Sequence, residues 1–282
     1  MGKLGGKLGW LAVWAVGLAL SSLGLAEAQL WGPPKANLWP RWEKHNAADT
    51  RTIDHAAWDR FLAKYLDGKH PSGINRMNYK GVTPEDRKAL DDYVARLQAV
   101  PISGYNRNEQ RAYWINLYNA RTAKLILDNY PVASIRKIKP TFLSLGPWDS
   151  KMMTVEGESL TLNDVEHRIL RPIWKDPRTH YNVNCASMGC PNLAPVAYTA
   201  ENLDRVSNEL AAAYVNHPRG AGFSKGRLKT SSIYEWWPED FGGSRNAVLD
   251  HLKKYARPEF AKQIETYDGP LDHDYDWALN EP

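Results

Sequence analysis

The chain has 282 residues, 43% hydrophobic and 24% charged, with a formal net charge of +4. That length suits one large domain or two small ones. The charge is weakly basic with the signs mixed and forms no basic run or stripe, which excludes a nucleic-acid binder.

Residues 1–28 read as a signal peptide. Lys3 and Lys7 give a positive start, and Leu8 to Ala26 carries no charge. Ala26-Glu27-Ala28 then offers small residues spaced for cleavage before Gln29. An uncleaved anchor is the competing reading, since about 20 apolar residues span a bilayer. Gly17, Ser21, Ser22 and Gly24 weaken it. No cysteine stands at the cleavage site, so a lipoprotein is not expected. Cleavage removes two lysines and Glu27, so the formal charge falls from +4 to +3. The mature chain is expected in the periplasm or secreted, in an oxidising compartment, with no stable membrane span.

Residues 29–50, rich in Pro, Trp and polar residues, read as an extended N-terminal arm. Asp54 starts a helix to about Tyr65, with Ala57, Phe61 and Tyr65 on one face. Thr83-Pro84-Glu85-Asp86 is a helix start that runs to about Gln98. Asn108 opens the longest helix, to about Asn129, with Trp114, Leu117, Tyr118, Arg121 and Leu125 in amphipathic spacing. Residues 151–162 read as a hairpin, and Thr161 or Asn163 caps a short helix from Asp164 to Leu170.

Residues 180–184 read as a short strand, expected to share a sheet with the hairpin and to pack under Trp114. Ala186 to Pro191 is the loop that ends it. Thr199 caps a helix to about Asn216, and residues 223–231 are strand-like. Residues 233–241 read as a short aromatic helix, and Ser244 opens the last long one, ended near Arg257-Pro258. Helices around a small sheet in a single domain argue for an α+β fold.

Four separated stretches resemble the domain-of-unknown-function family numbered 547. They are Tyr113 to Ala120, Leu160 to Leu170, Asp176 to His180 running into Asn184-Cys185 and Cys190-Pro191, and Tyr275 to Asn280. The resemblance covers roughly residue 50 to the end, so residues 51–282 are taken as the family domain. It implies an exported bacterial member, with no activity attached. The family pattern has Cys-Gly where this chain has Cys185-Ala186.

The chemistry centres on Cys185 and Cys190, the two cysteines of the chain. A thiol becomes a nucleophile when a base or positive dipole deprotonates it. His167 and His180 are the candidate bases. His180 and Cys185, five apart, would lie about 16 Å apart and on opposite faces if extended. Glu166 points about 100° from His167 on an ordinary helix and is not expected to orient it. Asn116, Asn119 or Asp276 would be the orienter, giving a Cys–His–Asn or Cys–His–Asp site. Such a site would make the fold similar to cysteine-peptidase folds, by analogy only.

The competing reading is a Cys185–Cys190 disulfide, the simpler use of two cysteines in an exported chain. Under it, Asn116 and Asn119 bond backbone in the core. A reducible pair combines both readings. No metal is expected, because two cysteines with His180 are an incomplete zinc set and His217, His251 and His273 are scattered. The Asp272-His273-Asp274 cluster reads as exposed charge. No cofactor is expected, since no P-loop, dinucleotide fingerprint or GxSxG appears. Two functions stand. The first is a thiol-dependent hydrolase or acyl transferase on a peptide-like or cell-envelope substrate. The second is a non-catalytic envelope module that binds a peptide, glycan or partner protein through its Trp- and Tyr-rich surface, with one structural disulfide.

Overall fold

Several helices begin at side chains that bond their first amides in the computed structural model, which describes residues 32–141 and 144–282. The leader expected over residues 1–28 lies outside the described residues. Asp54 Oδ1 accepts from the Ala56 amide (2.8 Å) ahead of α1, Ala56–Tyr65. Thr83 caps α2, Pro84–Gln98. Asn106 accepts from the amides of Asn108 and Glu109 and starts α3, Arg107–Asp128. That cap moves the start of the helix just ahead of Asn108.

Between α1 and α2, β1 (Leu66–Asp67) pairs with β2 (Arg76–Met77). The hairpin β3 (Met153–Val155) and β4 (Glu158–Leu160) turns on Glu156 and Gly157, at φ 47° and 83°. Gly157 meets that demand without a Cβ penalty. Thr161 Oγ then accepts from the Asp164 amide (2.9 Å). The segment Asp164–Leu170 is π-helical and runs on into α4, Arg171–Trp174.

The strand expected over residues 180–184 is not there. Residues Thr179–Asn182 form a helical turn, α5, and the chain is extended only from Val183. The turn is closed by the Thr179 amide on Asp176 O (3.0 Å) and the Tyr181 amide on Arg178 O (2.9 Å). The shared sheet fails with it, because β3 and β4 pair only with each other. Trp114 packs edge-on against Trp42 (ring centroids 5.0 Å) rather than on a sheet. From Lys35 the expected arm belongs to the same compact unit as the rest, Lys35–Pro282, with Trp42 buried.

The C-terminal part holds α6 (Leu203–Val215), the hairpin β5 (Ala221–Ser224) and β6 (Arg227–Ser231), and α7 (Ile233–Trp236). Then come α8 (Arg245–Tyr255), capped by Ser244, and α9 (Pro258–Glu265). Finally β7 (Leu271–Asp274) pairs with β6 in parallel, making a three-stranded sheet. Helices α1, α2, α6 and α8 lay their apolar stripes on one continuous core around α3, most of whose residues are buried. Separate small sheets among packed helices make this an α+β domain. Among the described residues no helix is long and apolar enough to cross a membrane.

Candidate functional site

Two buried asparagines of α3 set the path of the cysteine segment. Asn119 Nδ2 donates to Asn182 O (2.8 Å), and the Asn184 amide donates to Asn119 Oδ1 (2.8 Å). Asn116 grips Tyr198 in the same two-point way, through its carbonyl (2.7 Å) and amide (2.9 Å). Each side-chain amide supplies the donor and acceptor that a neighbouring strand would have supplied. This is why an extended segment survives without a sheet. Both asparagines therefore bond backbone.

Past Asn184 the loop closes on itself. Asn184 Oδ1 accepts from the Ala186 amide (2.8 Å) and its Nδ2 donates to Pro191 O (2.8 Å). Ala186 sits at φ 59°, the left-handed region that favours glycine. The segment 275–280 runs beside this loop. The amides of Met188 and Gly189 donate to Ala278 O (2.8 Å) and Asp276 O (2.7 Å). A Cβ on Gly189 would lie 2.7 Å from the Asp276 nitrogen, so only glycine fits that approach.

This architecture collects three groups around one sulfur. Cys185 Sγ lies 2.6 Å from Cys190 Sγ, 3.1 Å from Ser187 Oγ and 3.1 Å from Tyr275 Oη. The Cys185 amide donates to Cys190 Sγ (2.9 Å). Both cysteines are free thiols, which corrects the structural-disulfide reading. Cys185 is half-buried and Cys190 buried. Burial pushes the Cys185 thiol well up, and its hydrogen bond to Cys190 adds to that. Burial acts on Cys190 too, but hydrogen bonds from Cys185, Tyr275 and Ser187 outweigh it and hold Cys190 below an ordinary cysteine. Cys190 is thus the first of the pair to ionise.

The histidines form a second cluster. His180 Nε2 lies 2.6 Å from Asp240 Oδ2, and its ring stacks on Trp237 (4.8 Å, 13°). His167 Nδ1 lies 2.9 Å from an Arg171 guanidinium nitrogen. Arginine only donates, so Nδ1 accepts and Nε2 carries the proton. Glu166 reaches both rings, at 4.0 Å from His167 and 3.7 Å from His180. Its place on a π-helical turn, with a long side chain, overrides the divergence expected from an ordinary helix. Burial lowers His167 to about 4. Among the described residues neither imidazole is hydrogen-bonded to a cysteine sulfur. The structure brings His167 and His180 together with each other but leaves both off Cys185.

Asp276 is exposed and its carboxylate accepts from the Ala278 amide (2.8 Å). The neighbour that reaches the thiol is Tyr275. Sequence reasoning missed Tyr275 and Ser187. The Tyr275-Asp276 motif was the available signal, but an irregular segment does not announce which of two adjacent residues turns inward. Among the described residues no group of three or more His, Cys, Asp or Glu could hold a metal ion.

Residues 102–215 match the family described as "Protein of unknown function, DUF547". No curated protein and no solved structure matches the chain. The matched segment contains α3, the π-helical turn and both thiols.

Proposed function

We propose that the protein is a thiol-dependent enzyme that acts on a peptide-like substrate by thiol–disulfide exchange through Cys185 and Cys190. The observation that carries this is the contact of two free thiols at 2.6 Å, one half-buried and one buried with a lowered pKa. Cys185, the more accessible sulfur, attacks a substrate disulfide as its proton passes to the Cys190 thiolate 2.6 Å away. A mixed disulfide forms and one substrate thiolate leaves, taking that proton from Cys190 as it goes. Cys190, again the thiolate, attacks Cys185 Sγ. The Cys185–Cys190 disulfide closes and the second substrate thiolate leaves. The leader pattern of residues 1–28 supports work in an oxidising compartment, where such exchange is common.

Hydrolysis or acyl transfer on a peptide-like or cell-envelope substrate is the second reading. It is favoured by Cys190, which sits where a base for Cys185 would be needed and takes the role given to histidine in a cysteine-peptidase-like site. His167 or His180 would then act only after a rearrangement that frees it from Arg171 or Asp240.

The test is a free-thiol count followed by alkylation, disulfide exchange and ester acylation in the wild type, Cys185→Ser and Cys190→Ser. Exchange predicts that Cys190→Ser accumulates a mixed disulfide at Cys185 and Cys185→Ser accumulates none. Acyl transfer predicts an acyl adduct on Cys185 that needs Cys190. If both variants lose stability equally and neither adduct forms, the protein is a binding module instead.

A further inference from the structure

Two arginines, one ahead of the thiol loop in the chain and one after it, both end on Met188. Arg76, on β2, donates to Met188 Sδ (2.7 Å) and to Glu281 O (3.1 Å). Arg219, in the turn between α6 and β5, donates to Met188 O (2.9 Å) and Asn192 Oδ1 (2.6 Å). Those contacts bracket Cys190 in the sequence. Arg219 also lies over the Tyr214 ring (5.4 Å). Both side chains are half-buried, and neither makes an ion pair with a carboxylate among the described residues. The Nε of each is buried without a hydrogen-bond partner.

Several other buried or half-buried guanidiniums meet carboxylates, although Arg107 and Arg245 bond carbonyl and amide oxygens instead. Arg111 meets Asp176, Arg171 meets Asp240 and Glu239, and Arg178 meets Asp176 and Asp204. Two like charges brought together at one residue without a carboxylate are costly. Burial and the Arg76 charge both push the Arg219 pKa down, while Cys190 and the tyrosines beside it push it up. Ionised Cys190 is one charge that favours the Arg219 guanidinium, and it disappears when the pair is oxidised.

We infer that Arg76 and Arg219 form an anion site beside the thiols, and that it selects substrates carrying a carboxylate next to their disulfide. This rests on the thiol–disulfide reading and names the substrate class for it. Guanidinium forks match carboxylates in a way that lysine does not. The chemistry at the sulfur is unchanged: Cys185 displaces one substrate thiolate, and Cys190 displaces the second.

The experiment uses two aromatic or aliphatic disulfide probes on the full chain. One is the dicarboxylate 5,5′-dithiobis(2-nitrobenzoate), and the other is the diamine cystamine. Rates are normalised to those of a small neutral thiol at the same pH. The readout is the ratio of the two normalised rates. The wild type should favour the dicarboxylate by about tenfold at low ionic strength, and added salt should shrink the preference. Arg76→Gln and Arg219→Gln should each cut the ratio severalfold, while Arg76→Lys and Arg219→Lys should keep part of it. Circular dichroism and thermal melting establish which variants are folded, and the lysine variants serve where glutamine does not fold. A wild-type ratio near one, or a ratio unmoved in every folded arginine variant, overturns the anion site and leaves the thiol reading intact. Thiols that react with neither probe overturn the thiol reading, and the anion site falls with it.

Discussion

Tyr275 and Cys185 stand ninety residues apart in the chain, yet the phenol oxygen lies 3.1 Å from the sulfur. Ser187 closes the triangle, with its hydroxyl 3.2 Å from the same phenol oxygen. The hydroxyls make the thiolate form of the pair easier to reach, because hydrogen bonds to a charged form stabilise it.

Tyr275→Phe removes one of those donors and little volume. The pH at which the thiolate absorbs should rise by about one unit, the worth of one hydrogen bond to a charged group. Stability should change by less than about 1.5 kcal/mol. Ultraviolet thiolate titration and alkylation rates at neutral pH measure this. An unchanged titration would mean that the phenol is merely a neighbour.

Ala186→Gly should stabilise the fold, against the usual direction for that substitution. Ala186 holds φ 59°, where an L-residue costs about 1–2 kcal/mol and glycine does not. The greater freedom of glycine in the unfolded chain takes back part of that gain. A net increase of roughly 0.5–1 kcal/mol in denaturant unfolding is expected. A loss of stability would show that the buried Ala186 methyl packs better than its backbone suggests.

Acid should destabilise the protein in two stages. His55, His167 and His251 are each lowered to about 4 by burial, so the folded state resists protonating them. An unfolded histidine protonates near 6.5. The stability these rings contribute is therefore present above about pH 6.5 and lost as the pH falls toward 4. Burial raises Asp176 and Asp240, but Arg111 and Arg178 at Asp176, and His180 and Arg171 at Asp240, overcome it and hold both at about 2. Their contribution is present above the unfolded carboxylate range and lost between about pH 4 and 2. Melting temperature followed from pH 7 downward should fall in both windows. A flat profile between pH 6.5 and 4.5 would contradict the first.

Asn119→Ala should cost about 2–4 kcal/mol, because it removes two hydrogen bonds and strands the Asn184 amide and the Asn182 carbonyl in the core. Thiol reactivity should change as well, since Asn184 carries the loop that holds Cys185. Urea unfolding and alkylation rate together measure this. A stability loss below about 0.5 kcal/mol, typical of a surface site, would remove the asparagine from its supporting role.

Much of this was legible in the sequence where the code is local. The Thr83-Pro84 start, the residue 151–162 hairpin and the Ser244 start are written in caps and turns, and the structure has them at those places. The helical turn at Thr179–Asn182 was not legible. Tyr-Asn-Val-Asn has the composition of a strand, but Asp176 and the proline after it begin a turn, and Asn119 supplies from sixty residues away the bonds a sheet would have given. β7 was hidden for a similar reason: Leu-Asp-His-Asp carries no strand pattern, and only its pairing with β6 extends it. The cysteines, histidines and asparagines of the candidate site were each visible as residue types. Their partners were not, because those partners come from loops whose facing depends on the whole fold.

The C-terminal position of Tyr275 bears on how this protein can be divided. The family segment ends at residue 215 and holds both sulfurs, but Arg219 and Tyr275 lie beyond it, and Arg76 lies ahead of it. A piece cut to residues 102–215 would keep both sulfurs and lose the phenol, both guanidiniums and the segment that seats Gly189. The surroundings of Cys185 therefore draw on residues outside the matched segment. During synthesis the sulfurs leave the ribosome some ninety residues before the hydroxyl that tunes them. Until then Cys185 lacks the phenol contact that it has in the fold.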